Sequence, residues 1–107
     1  MNQLLPRELA QWLADESRPH PLLLDVRETW EYEHCHLPDS QHMPMHVVPL
    51  RCEELDPERE IVVICHHGAR SMQVAMFLER RGYAAVHNLS GGVDAWANDV
   101  DASFRRY

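Results

Sequence analysis

The sequence lacks the features that direct a chain out of the cytoplasm or into a membrane. Its first residues, MNQLLPRELAQWL, have neither the basic segment nor the long apolar core of a signal peptide. No apolar run approaches the roughly 20 residues that a membrane-spanning helix needs. Cysteines are few, and Cys35, Cys52 and Cys65 form no C-x-x-C motif. We therefore expect free thiols and a cytoplasmic location rather than a disulfide framework.

Positive charge is also scarce. Ten basic residues stand against seventeen acidic ones, and the formal net charge is -7 at pH 7. A general binder of nucleic acids or anionic membranes needs a basic surface, so this balance argues against both classes. An anionic substrate would have to be attracted by a local positive field. With 107 residues and no repeat or linker, the chain is expected to form a single domain over residues 1–107.

Apolar runs alternate with helical patterns along the chain. Four segments are predicted to be strands and lie at 22–26, 41–43, 61–65 and 86–89. The third is continuous and β-branched, as expected for a strand covered on both faces. Helical spacing marks five segments, from Pro6, at 27–35, at 47–55 with a disturbance at Pro49, at 71–81, and from Val93. The alternation predicts an α/β fold, with a parallel sheet of four to five short strands and helices on both faces.

The stretch CHHGARS, residues 65–71, joins the clearest strand to the start of a helix. Ligands of parallel α/β folds bind beyond the carboxyl ends of strands, and Cys65 lies at such an end. Loop N–H groups, the helix dipole and the Arg70 guanidinium together make an anion site, and Gly68 permits the tight bend. This field favours the thiolate form of Cys65, which is the nucleophilic form.

Each of these residues also has a simpler structural interpretation. A lone cysteine at a strand end is usually a small buried residue, but Gly68 and Arg70 beside Cys65 favour a reactive thiol. Asp25 and Arg27 lie at the end of the first predicted strand, close to the active edge of the sheet. A structural ion pair or a helix cap is the favoured interpretation for both, with support of the site as a further role.

The loop is one of several motifs that occur together. In chain order they are LLLDVRETWEY at 22–32, HLP at 36–38, Met43-Pro44, CHHGARS at 65–71 and FLERRGYAAVHNLSGGVDAW at 77–96. Taken together, they resemble the rhodanese family of sulfurtransferases in its small single-domain form. The resemblance covers about residues 2–98 and leaves 99–107 as a C-terminal tail without a family counterpart.

The resemblance implies a thiosulfate sulfurtransferase that works through a Cys65 persulfide, with no metal and no organic cofactor. Arg70 would stabilise anionic sulfur. The loop N–H groups that would hold the substrate sulfur belong to His66, His67, Gly68, Ala69 and Ser71. The donor would be thiosulfate or a related small molecule. The acceptor would be cyanide or a thiol, a small redox protein included.

Loop length separates this chain from the phosphatase relatives of the family. Those phosphatases place five residues between cysteine and arginine, whereas four separate Cys65 from Arg70. The shorter ring of amides suits a persulfide sulfur better than a phosphoryl group. The same chemistry needs no general base, so the resemblance implies that His66 and His67 contribute backbone N–H groups and shape.

Two interpretations from other classes stay open. The H-C-H and C-H-H runs at 34–36 and 65–67 could ligate a metal in a regulatory or redox module, although no common zinc spacing is present. The same loop could also belong to a persulfide carrier that does not turn over.

The turn after the second helical segment departs from the family's usual pattern. Cys35 and Asp39 stand where that turn usually has glycines, so a positive φ at either would reshape or strain the turn.

Overall fold

A five-stranded sheet forms the centre of the computed structural model, which describes all 107 residues. Its strands are β1 (Asn2–Leu4), β2 (Leu22–Asp25), β3 (Gln41–His42), β4 (Ile61–Ile64) and β5 (Val86–Leu89). They lie in the order β1-β5-β4-β2-β3, and every neighbouring pair is parallel. The predicted α/β class and parallel sheet are confirmed. The sequence patterns did not reveal β1, which adds an edge strand beside β5.

Four helices connect the strands and a fifth follows β5: α1 (Pro6–Ala14), α2 (Thr29–His34), α3 (Val48–Arg51), α4 (Ala69–Arg80) and, after β5, α5 (Gly92–Asp99). The helix expected at 47–55 was wrong in its extent. It is a four-residue helix between two 3-10 turns. Pro49 lies in the first turn of α3, where its missing N–H has no helical partner to lose. No helix combines the length and apolarity that crossing a bilayer requires.

The sheet separates two apolar clusters, and β4 contributes to both. Ile61 and Val63 point into the cluster that α3 and α4 cover, and Val62 and Ile64 point into the cluster that α1 and α5 cover. All four side chains are fully buried. This arrangement explains the continuous β-branched run, because neither face of the strand meets water. Helices on both faces are thereby confirmed.

Turn residues of the chain differ in backbone conformation. Gly82 follows the C-cap of α4 with a φ of 91°, the left-handed conformation that glycine often adopts after a helix end. Asp39 adopts a φ of 63°, which aspartate tolerates better than most residues. Cys35 has an extended φ of -168°. Only one of the two departures from the family's glycines therefore falls on a left-handed position.

The first turn of α5 forms hydrogen bonds with the backbone of the CHHGARS loop. The N–H of Val93 donates to the carbonyl of Cys65 at 2.9 Å, and the N–H of Asp94 donates to the carbonyl of His66 at 3.1 Å. Gly92 precedes them with a φ of 60°, and a Cβ there would collide with these same two carbonyls. A glycine is therefore required at this position by both backbone conformation and space.

We expect Gly92→Ala to lower the free energy of unfolding by more than about 2 kcal/mol, because it combines a left-handed φ with a backbone collision. Gly82→Ala is the matched control. It has a similar φ, but nothing lies within 4 Å of the added Cβ. It should lower the free energy of unfolding by only about 1 kcal/mol. Urea denaturation measures both losses, and equal values would contradict the close approach of α5 to the loop.

Candidate active site

The sulfur of Cys65 lies at the junction of β4 and α4. The residue is only 1% exposed. The backbone N–H of Gly68 donates to Sγ at 3.0 Å, and Ser71 Oγ lies 3.3 Å from Sγ. Gly68 is the N-cap of α4 with a φ of 103°, so the predicted bend is present. The helix begins at Ala69, two residues before the predicted start, which brings Arg70 and Ser71 into its first turn.

The first turn of α4 supplies donors that no helical carbonyl satisfies. In any α-helix the first N–H groups lack an intrahelical partner. Here these groups belong to Ala69, Arg70 and Ser71, and the first bond of the helix runs from the N–H of Met72 to the carbonyl of Gly68. The positive end of the helix dipole therefore lies next to Cys65. Binding of substrate sulfur by the amides of residues 66–71 stays a prediction.

A buried network of hydrogen-bonded polar side chains holds the other side of the loop in place. Ser71 Oγ is hydrogen-bonded to Asn88 Oδ1 on β5 and lies 3.2 Å from the Gly68 carbonyl. The Asn88 amide donates to Gln3 Oε1 on β1 at 2.9 Å. The Ser71 hydroxyl has one proton, and Asn88, Gly68 and Cys65 all lie within reach of it. Ser71 can therefore direct that proton to the sulfur when the sulfur is charged.

Arg70 is paired with a carboxylate that the sequence analysis did not single out. Its guanidinium donates to both oxygens of Glu31 at 2.7 and 2.9 Å. The side chain of Glu31 is 5% exposed and that of Arg70 is 35% exposed. Hydrogen bonds from Arg70, Tyr107 and the N–H of Glu28 outweigh burial and lower the pKa of Glu31 to about 2. Arg70 is thus a fixed cation beside the loop, but its charge is balanced.

Asp25 and Arg27 form a fully buried ion pair. The guanidinium donates to the carboxylate through Nε at 3.0 Å and through Nη2 at 2.8 Å. Nη2 also donates to the carbonyl of Cys35 at 2.6 Å. Burial lowers the pKa of Arg27, but the Asp25 carboxylate more than offsets this and the net shift is upward. The pair ties the end of β2 to the segment after α2, which is the structural role favoured from the sequence.

The C-terminal tail docks on the site. Phe104 is buried in the cluster that α1 and α5 cover. The Tyr107 hydroxyl donates to Glu31 Oε2 at 2.7 Å and accepts from Arg27 Nη1 at 3.1 Å. Burial raises the pKa of Tyr107 to about 12, aided by the bond to Glu31, so the phenol is neutral. The tail that lacks a family counterpart in the sequence is therefore packed against the folded domain.

The two loop histidines stack on each other rather than on the sulfur. Their ring centroids are 4.0 Å apart, and the ring of His66 also stacks on Tyr107 at 4.2 Å. Burial, followed by the neighbouring His67, lowers the pKa of His66. The side chain of His67 is 68% exposed. Neither imidazole hydrogen-bonds to Cys65. The structure groups no three His, Cys, Asp or Glu side chains in a way that could hold a metal ion.

Comparison with known proteins identifies the family. The model of the rhodanese-like domain matches residues 5–99. The chain belongs to the rhodanese-like domain family. A sulfurtransferase of Allochromatium vinosum is 39% identical over 91% of this chain and 89% of that protein. The thiosulfate sulfurtransferase GlpE of Pseudomonas syringae pv. syringae is 34% identical over 86% of this chain and 84% of that protein.

A solved structure supports the same assignment. The crystal structure of a rhodanese-like domain protein from Staphylococcus aureus superposes with a TM-score of 0.85. The two chains are 27% identical, and the alignment covers 100% of this chain and 99% of the other. The recognition of the family from its motifs is therefore confirmed. The family match ends at residue 99, before Phe104 and Tyr107, so the docked tail of this rhodanese-like domain lies outside the matched segment.

Three residues of the site were missed by sequence reasoning, namely Glu31, Asn88 and Tyr107. Glu31 follows Glu28 at the capping-box spacing, which is a usable signal for a helix start but not for a partner of Arg70. Asn88 is the one amide in the apolar run VHNL, and a buried amide in a strand requires partners. Tyr107 carries no local signal, because its contacts lie 76 and 80 residues away along the chain.

We expect the stability of this rhodanese-like domain to fall as the pH drops from about 4.5 towards 2. Because the pKa of Glu31 is lowered from 4.5 to about 2, its stabilisation is complete above the unfolded-state value and is lost on acidification through that window. Glu31→Gln should lower the free energy of unfolding by about 1–2 kcal/mol at neutral pH and should flatten its decline with acidification. This range takes into account that solvent screens the partly exposed Arg70. Urea denaturation at neutral pH and near pH 3 measures both effects.

Glu33→Gln is the matched control for this experiment. Glu33 lies on the same helix, is exposed, and its side chain makes no hydrogen bond or ion pair. Its substitution should leave both the stability at neutral pH and the acid decline unchanged. If Glu31→Gln retained the steep acid decline of the unsubstituted protein, the Arg70–Glu31 pair would not be its source.

Proposed function

We propose that this rhodanese-like domain is a sulfurtransferase that moves a sulfane sulfur from thiosulfate, or a related small donor, to a thiol or cyanide through a Cys65 persulfide. One observation carries the proposal. Cys65 Sγ accepts a backbone hydrogen bond at the positive end of α4, in a chain whose relatives are named as sulfurtransferases. The preset amides and the helix dipole favour negative charge on sulfur, both in the thiolate and in the persulfide.

The reaction has two steps. The Cys65 thiolate attacks the outer sulfur of thiosulfate, the S–S bond of the donor breaks, and sulfite leaves with the bonding electron pair. The new S–S bond makes Cys65 a persulfide anion. An acceptor thiolate or cyanide then attacks the terminal sulfur, forms a persulfide or thiocyanate, and returns Cys65 as a thiolate. Neither step needs a proton transfer, a metal or an external oxidant, and the sequence of steps predicts ping-pong kinetics.

Arg70 is proposed to stabilise the anionic intermediates through its proximity to the loop. Its pKa is raised chiefly by Glu31, with a smaller contribution from negative charge at Cys65. Removal of Arg70 would do more than delete a cation, because the Glu31 carboxylate would remain beside the loop without its main partner. The local balance would then become negative, which opposes both a thiolate and an anionic donor.

The donor and acceptor follow from this chemistry. Thiosulfate is a small anion that fits the amide-lined first turn of α4. A thiol acceptor, low-molecular-weight or on a small redox protein, fits a reducing compartment such as the cytoplasm. The three free cysteines agree with such a compartment. A persulfide carrier would use the same loop without rapid turnover, so sulfur loading and turnover have to be measured separately.

Intact-mass spectrometry after thiosulfate treatment should show one added sulfur atom on the reduced protein, lost again on addition of cyanide. Cys65→Ser should show neither change. Cys35→Ser is the matched control and should behave as the unsubstituted protein, because Cys35 is the C-cap of α2 and belongs neither to the loop nor to the first turn of α4. Loading without catalytic thiocyanate release would favour the carrier. No loading at all would reject the persulfide.

Arg70→Ala should reduce kcat/KM for thiosulfate by at least about tenfold, whereas His66→Ala and His67→Ala should reduce it by less than about threefold. The double variant Arg70→Ala with Glu31→Gln should recover part of the loss, because the uncompensated carboxylate is gone. Steady-state kinetics with thiosulfate and cyanide give these ratios. Equal losses in the three single variants would contradict the ranking, and a double variant worse than Arg70→Ala would contradict the electrostatic cause.

A further inference from the structure

We propose that Tyr107 is a specificity-determining residue, which closes the entrance between α2 and the Cys65 loop and restricts sulfur transfer to small-molecule donors and acceptors. The inference rests on the proposed function and narrows its acceptors, from thiols that include those of a small redox protein to low-molecular-weight thiols. Low-molecular-weight thiols and thiosulfate would be preferred over cysteines on protein surfaces. Tyr107 is not proposed as a catalytic residue, since it does not contact the sulfur.

The ring of Tyr107 spans the two sides of the entrance. On the loop side it stacks on His66 at a centroid distance of 4.2 Å. On the α2 side it meets Trp30 and His34 edge-on, at 5.4 and 5.6 Å. The two edge-on distances lie in the favourable range for aromatic pairs. A single side chain from the tail therefore fills the gap between the helix that carries Glu31 and the loop that carries Cys65.

The hydroxyl of Tyr107 anchors the ring in the charged network behind the loop. It donates to Glu31 at 2.7 Å and accepts from Arg27 at 3.1 Å, so both of its hydrogen-bonding roles are used. Glu31 also receives both donors of Arg70. Two cations, Arg27 and Arg70, face two carboxylates, Asp25 and Glu31, and the neutral phenol adds no charge. The charges around the entrance are thus nearly balanced. We therefore expect Tyr107 to discriminate between donors and acceptors by their size rather than by their charge.

The rest of the tail holds Tyr107 in this place. Phe104 is 7% exposed within the apolar cluster. The carbonyl of Arg106 accepts a hydrogen bond from His34 at 2.9 Å, and its guanidinium lies 3.7 Å from Asp94 on α5. Between the tail and the loop there remains a cavity of about 10 Å³, which is room for about one water molecule. The tail consequently packs on the loop from α5 across to α2.

Because the sulfur is buried, closure of the entrance by Tyr107 determines which molecules can reach it. Cys65 is 1% exposed with the tail docked. A small ion or thiol can approach a recessed sulfur through a narrow opening. A cysteine on a convex protein surface must bring its backbone and neighbours to the rim, where Trp30 is 62% exposed and Tyr107 stands between the walls. Access for such a partner requires the loss of the Tyr107 contacts with Glu31, Arg27 and His66.

Alkylation of Cys65 by two reagents of different size tests the proposal without any sulfur transfer. The probes are iodoacetamide and a maleimide carrying a polyethylene glycol chain of protein size, with the modified site read by peptide mass spectrometry. Tyr107→Ala should raise the rate with the large reagent by at least about tenfold and the rate with iodoacetamide by less than about threefold, as expected when a closing group is removed. Tyr107→Phe keeps the ring but loses both hydrogen bonds. Its rate with the large reagent should lie between the rates of the unsubstituted protein and of Tyr107→Ala.

Arg105→Ala is the control, because Arg105 is exposed in the same tail and makes no hydrogen bond or ion pair. Its alkylation rates should equal those of the unsubstituted protein. A parallel rise for both reagents in Tyr107→Ala would mean general loosening of the loop and would overturn size selection. Unchanged rates, or a Cys65 that neither reagent labels in that variant, would show that another group closes the site. Each result stands whether or not Cys65 forms a persulfide.

Discussion

The carboxylate of Glu31 is the contact on which the arrangement around Cys65 depends. It accepts two hydrogen bonds from Arg70, one from the Tyr107 hydroxyl and one from the N–H of Glu28. These donors come from α4, the tail and the start of α2, which the sheet alone does not bring together. A nearly buried carboxylate is costly unless all of its donors are present. The position of each donor is therefore tied to that of the others.

The field at the sulfur comes mainly from the backbone. Arg27 is matched by Asp25 and Arg70 by Glu31, so the side chains behind the loop nearly cancel. What remains positive is the N–H of Gly68 and the first turn of α4. In the proposed reaction these local dipoles would stabilise anionic sulfur even in an acidic chain, because they act at short range whereas the net charge is spread over the surface. Peptide dipoles do not titrate, so this part of the field is insensitive to pH.

The sheet and the reactive loop could be predicted because their signals are local. The run at Ile61–Ile64 and the CHHGARS stretch carry strand, bend and helix start within eleven residues of one another. The edge strand Asn2–Leu4 could not be predicted, since it has three residues, two of them exposed, and is defined by its pairing with β5. Glu31 and Tyr107 depend on contacts between distant segments. Their roles follow from packing of the folded chain, which periodicity and motif spacing do not encode.

The bonds from Val93 and Asp94 to the carbonyls of Cys65 and His66 have a consequence for how the surface around the sulfur can vary. The peptide planes that surround the sulfur are oriented by backbone N–H groups of α5, whereas the His67 ring is 68% exposed and reaches only the side chain of Asp94, at 3.9 Å. A substitution at position 67 can therefore alter what an approaching molecule meets and leave these backbone bonds in place. In the proposed sulfurtransferase, recognition at this position would vary separately from the reactivity of Cys65.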